Sequence, residues 1–311
     1  MTMGTTYNIT AHGLPKGTTP EALMHAVDAV LHDIDRTMSA HRQDSELCRF
    51  NAHASQEPFL VSAGTAEVFR VSRQVAEASG GAFDITVGPL VNAWGFGPDR
   101  ISGVPDDATT AALRERVGWR LVEVRDDNTL VKRRPDLHCD LSAVAKGYGV
   151  DKVAEALDRL GVSSYLVEVG GEVRTQGVNT DGQLWRLAIE KPTDEGRQPQ
   201  LVVGLSGASL ATSGDYRIFR MEYGKRISHE IDPRTGCPST SKVTSASVIH
   251  PSCAWADAYA TALIVLDSDE GYAFAQKNHL AACLLTRNPS GEIVARQTEN
   301  FEKYANDVRD T

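Results

Sequence analysis

The order of periodicities along this chain predicts an α+β fold. Helical spacing of apolar residues recurs over 20–38, 63–79 and 143–160. Strand-like runs lie next to one another at 120–125 and 129–133, and again at 164–169, 185–190 and 201–205. The regular strand–helix alternation of a doubly wound sheet is missing. At 311 residues the chain can bury a substantial core, since folding at this size removes about 70% or more of the unfolded surface from water.

Residues 3–12 alternate polar and apolar with Thr, Tyr and Ile, which suits a strand. Thr19-Pro20-Glu21 is cap chemistry, so the first helix is predicted from Pro20 to Met38. Its Leu23, Val27, Val30, Leu31 and Ile34 recur at three-to-four spacing and should face a core. The second is predicted from Ala63 to Ser79, with Val68, Val71, Val75 and Ala78 on one face and Gly80-Gly81 as its stop. Further helices are predicted at 143–160, 254–265 and 270–278. Lys191 to Pro199 and Phe96 to Asp107 read as exposed loops, neither long enough to link domains. The expectation is one continuous unit over 1–311, with two lobes around a cleft.

Charge and composition exclude several functions. With 32 Lys and Arg against 41 Asp and Glu, the formal net charge is −9. No broad cationic face is expected, and nucleic acid is not an expected partner. No apolar run approaches the roughly 20 residues that span a bilayer. Cys48, Cys139, Cys237, Cys253 and Cys283 are widely spaced without a C-x-x-C, so they read as small buried or incidental thiols. Met1 to Tyr7 lacks the basic and apolar regions of a secretory leader, which leaves the compartment open.

Six segments could carry chemistry. Gly80 to Leu90, continued by Trp94-Gly95-Phe96-Gly97, concentrates glycines that let a ligand approach the backbone and aromatic faces that could stack on a planar ring. A structural turn explains the same composition. Asp140 to Gly149 joins a strand end to a helix start, where free N–H groups and Lys146 could face a phosphate; an ordinary helix start fits equally, and the Walker order is absent. Val169-Gly170-Gly171-Glu172 and Ala211 to Asp215 read as polar glycine turns. His229 to Gly236 brings an imidazole, acids and Arg234 together, although Asp232-Pro233-Arg234-Thr235-Gly236 is also an ordinary turn. In the helix around Ala254 to Leu263, Asp257 and Thr261 fall one turn apart on one face. They could offer two hard oxygens to Mg²⁺, or simply be solvated and bonded within the helix.

Taken in order, Met3 to Tyr7, Phe83 to Leu90, Asp140 to Gly147, Thr212-Ser213-Gly214, His229 to Gly236 and Ala256 to Thr261 resemble the ApbE family of FAD:protein FMN transferases over nearly the whole chain. The resemblance implies an α+β unit related to the T-fold that holds FAD in a cleft with Mg²⁺ on its pyrophosphate. It implies metal ligation by the Asp257 carboxylate, the Thr261 hydroxyl and the Ala143 carbonyl. It implies cofactor contacts at Met3, His41, Ala82, Phe83, Asp84, Asp140, Lys146 and Asp232, and a catalytic role for His229. Two positions depart from the family pattern. His41 stands where an aromatic ring is frequent, and Ser142-Ala143 where a glycine pair is common.

The expected reaction is Mg²⁺-dependent transfer of FMN from FAD to a threonine of an acceptor flavoprotein, with AMP released. His229, or an acid near it such as Asp232, would take the threonine proton. The rivals are an Mg²⁺-dependent FAD pyrophosphatase giving FMN and AMP, and a protein that binds FAD without cleaving it. The resemblance also implies export to the periplasm with a lipid anchor and an acceptor in a membrane redox complex; cytoplasmic members are the alternative. The chain opens almost at the first family motif, as a chain trimmed of its leader would.

Overall fold

Seven antiparallel strands lie side by side in chain order: β1 (Tyr7–His12), β2 (Ser164–Val169), β3 (Glu172–Gln176), β4 (Ser209–Gly214), β5 (Val243–His250), β6 (Ala281–Arg287) and β7 (Ile293–Gln297). The computed structural model describes residues 3–97, 103–193, 196, 198–215, 219–222 and 225–306. Within the two predicted loops, residues 98–102 and 194, 195 and 197 fall outside that set. A helix already begins at Asp107. The mixture of helix with an antiparallel sheet is the predicted α+β class.

Four helices carry the argument: α1 (Pro20–Met38), α2 (Ala63–Ala78), α3 (Ser142–Arg159) and α4 (Cys253–Val265). The hydroxyl of Thr19 accepts from the Ala22 N–H at 3.2 Å and Pro20 opens α1, as its sequence predicts. Ser62 caps α2, and the left-handed Gly80 and Gly81 end it, with the Gly81 N–H returning to the Ala76 carbonyl at 2.8 Å. In α4 every residue except Trp255 and Thr261 is buried. An alanine-rich helix, small on all sides, can be enclosed in this way by α3, α2 and strands β4 and β5.

The sheet is covered on both faces. Ala282 and Leu284 of β6 join the large core under the helices, whereas Ala281, Cys283 and Leu285 join a second core. That second core contains Leu187 and Ile189 of one hairpin strand (Trp185–Glu190), Val203 and Leu205 of the other (Pro199–Leu205), and Phe301 of the Glu299–Asn306 helix. A strand buried on both faces loses the alternation that marks a half-buried one. This is why β5 and β6 do not stand out in the sequence while β2 does. All five cysteines are free thiols, and three of them, Cys139, Cys253 and Cys283, are buried.

Candidate active site

A cavity of about 1370 Å³ opens where the ends of several elements converge. The end of α1, the Ala82–Ile85 turn, the start of α3, the β2–β3 turn, β4, the His229–Pro233 segment, α4 and the Trp185–Glu190 strand all contribute to its wall. Its volume exceeds the roughly 300–1,000 Å³ of pockets for drug-sized ligands, which suits an extended dinucleotide.

Asp257 is a buried carboxylate of this site, at 2% exposure. Its Oδ2 accepts the Gly147 N–H of α3 at 3.0 Å, and its Oδ1 lies 3.5 Å from the Lys146 ammonium. One helical turn before Gly147 stands Ala143, so helical connectivity brings the Ala143 carbonyl to the same N–H that Asp257 engages. One turn after Asp257, the Thr261 hydroxyl meets the Ser213 hydroxyl of β4 at 3.1 Å. A carboxylate, a hydroxyl and a carbonyl are hard oxygen donors of the kind Mg²⁺ takes, with waters and phosphate oxygens as its other ligands. The donor set fits that ion.

Lys146 is held by α3 between two acids. Its Nζ lies 3.4 Å from Glu172 Oε1 and donates to the Ser142 carbonyl at 3.1 Å. Burial alone would pull the ammonium down, but Asp257 and then Glu172 more than offset it, so its pKa is raised and the charge is kept. Glu172, buried at the turn made by the left-handed Gly170 and Gly171, is raised by desolvation despite the pull of Lys146.

His229 follows directly on the Lys225–Ser228 strand of a second hairpin. Its Nε2 lies 3.3 Å from Glu230 Oε1, and its ring stands edge-on to Phe96 with centroids 6.3 Å apart. Burial raises Glu230 above the ordinary carboxylate range.

Met3, His41, Ala82, Phe83, Asp84, Asp140, Ala143, Lys146, His229, Asp257 and Thr261 all line this one cavity. Met3 holds a left-handed backbone and packs on Gly149 of α3, where a Cβ would come within 2.9 Å of its methyl group. The Asp84 carboxylate is committed to Thr86 and to the Trp119 N–H, which leaves the backbone of its turn to meet a ligand. Asp140 accepts the Ser142 N–H at 2.8 Å, and its own N–H binds the Ile85 carbonyl, tying the Gly80–Leu90 segment to the Asp140–Gly149 segment.

Asp232 does not belong to the group. It is absent from the cavity wall, and its carboxylate is taken by the Arg234 guanidinium and backbone N–H in the turn that closes through the Gly236 N–H to the Asp232 carbonyl at 2.8 Å. The acid beside the imidazole is Glu230 instead. Glu172, Ser213 and Gly147 are the other partners that residue types alone did not assign. The sequence marked Glu172 as a member of a polar glycine turn, and Ser213 as a member of another and of the Thr212-Ser213-Gly214 motif. Likewise Trp94 proves structural, donating to the Gly236 carbonyl at 2.8 Å, whereas Phe96 reaches the cavity.

The sequence model described as the ApbE family matches residues 3–285. The chain is 43% identical over 305 residues to the FAD:protein FMN transferase of Vibrio cholerae, covering 98% of this chain and 88% of that protein. With the Haemophilus influenzae protein of the same name the identity is 40%, over 97% and 89% of the two chains. The solved flavin transferase ApbE from Vibrio cholerae superposes with a TM-score of 0.90 at 40% identity, over 98% of this chain and 97% of that one. Agreement at that level, in sequence and in fold alike, means that this chain belongs to the ApbE family.

Proposed function

We propose that this protein transfers the FMN half of FAD to a threonine hydroxyl of an acceptor flavoprotein, with AMP as the other product. The FAD:protein FMN transferase activity in the names of its relatives supports the reaction. The observation that carries it to these residues is the buried Asp257, one turn from Thr261 and bonded to α3 beside Ala143 and Lys146. In this reading Asp257, Thr261 and the Ala143 carbonyl hold Mg²⁺, which when bound neutralises the pyrophosphate.

Lys146 adds a fixed positive charge on the same phosphates, and lowers the repulsion that an incoming oxygen meets. His229, oriented by Glu230, accepts the proton of the threonine hydroxyl as its oxygen bonds to the FMN-side phosphorus. The bond from that phosphorus to the bridging oxygen breaks, and AMP leaves with that oxygen. His41, Phe83 and the Ala82–Asp84 turn provide the wall against which a flavin would rest. The compartment and the acceptor belong to the same reading: a periplasmic site of action and a subunit of a membrane redox complex. No helix among the described residues is long and apolar enough to cross a membrane.

Replacing Asp257 by Ala tests the reading. The variant should lose Mg²⁺-dependent AMP release and FMN transfer together while retaining FAD binding, measured by flavin fluorescence. Turnover at the unmodified rate would remove Asp257 from the cation site.

A further inference from the structure

The start of α4 is capped from another helix. Ser252 precedes α4, but its hydroxyl does not turn back on the free N–H groups of that helix. Asp151 of α3 meets them instead. Its Oδ1 accepts the Cys253 N–H at 2.9 Å, and its Oδ2 accepts the Ala254 N–H at 3.0 Å and the Ser252 hydroxyl at 2.7 Å. A carboxylate at a helix N-terminus satisfies otherwise orphaned donors and opposes the positive end of the helix dipole. Oδ1 also accepts from the Arg174 guanidinium of β3. Asp151 is 6% exposed, so these bonds form out of water.

The position along α3 gives this contact its consequence. Asp151 is one turn beyond Gly147, hence on the same face. Gly147 packs so closely that a Cβ there would lie 2.3 Å from the Cys253 carbonyl oxygen and 2.9 Å from the Ala254 Cα. The two residues therefore grip the same first turn of α4, and one turn further on Asp257 receives the Gly147 N–H. Slippage of α4 by one residue would displace Asp257 and Thr261 by about 1.5 Å along the helix axis. Through Arg174 the same carboxylate reaches β3, whose first residue, Glu172, holds Lys146. One side chain thus joins the three elements that carry the Ala143 carbonyl and Lys146, the Asp257–Thr261 pair, and Glu172.

We propose that Asp151 is a positioning residue for the cation site, fixing the register of α4 against α3. The proposal rests on the Mg²⁺ reading given above. Its test is a Mg²⁺ titration of the whole protein by calorimetry with Mg²⁺ alone, alongside the half-saturating Mg²⁺ for AMP release from FAD. Asp151→Asn should raise both values by about tenfold, the low end of what supporting residues contribute at metal sites, with turnover recovering at saturating Mg²⁺.

Ser252→Ala, which leaves Asp151 and both amides in place, should shift both values in the same direction by less, and serves if Asp151→Asn does not fold. Thr19→Ala removes a cap at the start of α1 and should lower the melting temperature while leaving the Mg²⁺ values unchanged. Asp151→Asn and Ser252→Ala both titrating like the unmodified protein, whatever their melting temperatures, would overturn the proposal. If the unmodified protein itself takes up no Mg²⁺, the cation reading falls and the positioning role falls with it.

Discussion

His229 and His250 show how differently two histidines of one chain are used. His229 lines the cavity beside Glu230. His229→Ala should therefore slow single-turnover AMP release by about 10²–10⁴-fold while FAD binding persists, as read by rapid quench and flavin fluorescence. His250 lies at the end of β5 among Trp255 and Tyr259, and burial pulls its pKa below the ordinary imidazole value against the opposing influence of Ser252 and Asp151.

The folded state then binds fewer protons than the unfolded chain between those two values. Its contribution is complete above the unfolded value of about 6.5 and is lost as pH falls through the folded one. His250→Gln should flatten the acid-side fall of the melting temperature, and an unchanged slope would exclude that ring as its source. Asp257, Thr261, Lys146 and His229, singled out by motif order, all line the one cavity. Asp232 stands apart from its wall, because its own turn returns Arg234 onto it, a local bond that residue type does not reveal.

At the scale of elements, periodicity succeeds where a helix presents one face to the core. The α1 and α2 boundaries follow from cap and stop chemistry to within a residue of their predicted positions. It fails for the Glu46–Ala52 and Gly88–Ala93 helices, which are too short to repeat a pattern, and for β5 and β6, which are buried on both faces. The α3–α4 contact was equally hidden, since nothing in Lys146-Gly147-Tyr148 says which helix the glycine meets. Gly147→Ala tests it. The added methyl group would meet backbone rather than a side chain that can turn away, so overpacking should cost at least the usual range of about 1–3 kcal/mol. Urea unfolding measures this, and an unaltered midpoint would show that the helices are not in such close contact.

Across the whole molecule, a sheet in simple chain order carries apolar packing on both faces, and the cavity opens where elements from the two sides meet: α4 on one side, Leu187 and Ile189 on the other. The α+β class and the cleft were legible from the order of elements and motifs. The second core was not, because it is built from residues distant in sequence, from Val173 to Ala305. One arrangement explains both why Asp257 can remain buried on an apolar helix and why a ligand of dinucleotide size can reach it. The most direct test is to incubate the protein with FAD, Mg²⁺ and a threonine-containing acceptor flavoprotein domain, then record the intact mass of the acceptor with AMP measured in parallel. The account predicts an FMN-sized mass gain matched by AMP and abolished by EDTA. AMP without an adduct on any threonine-containing acceptor would contradict transfer in favour of hydrolysis, and bound FAD with neither product would contradict catalysis altogether.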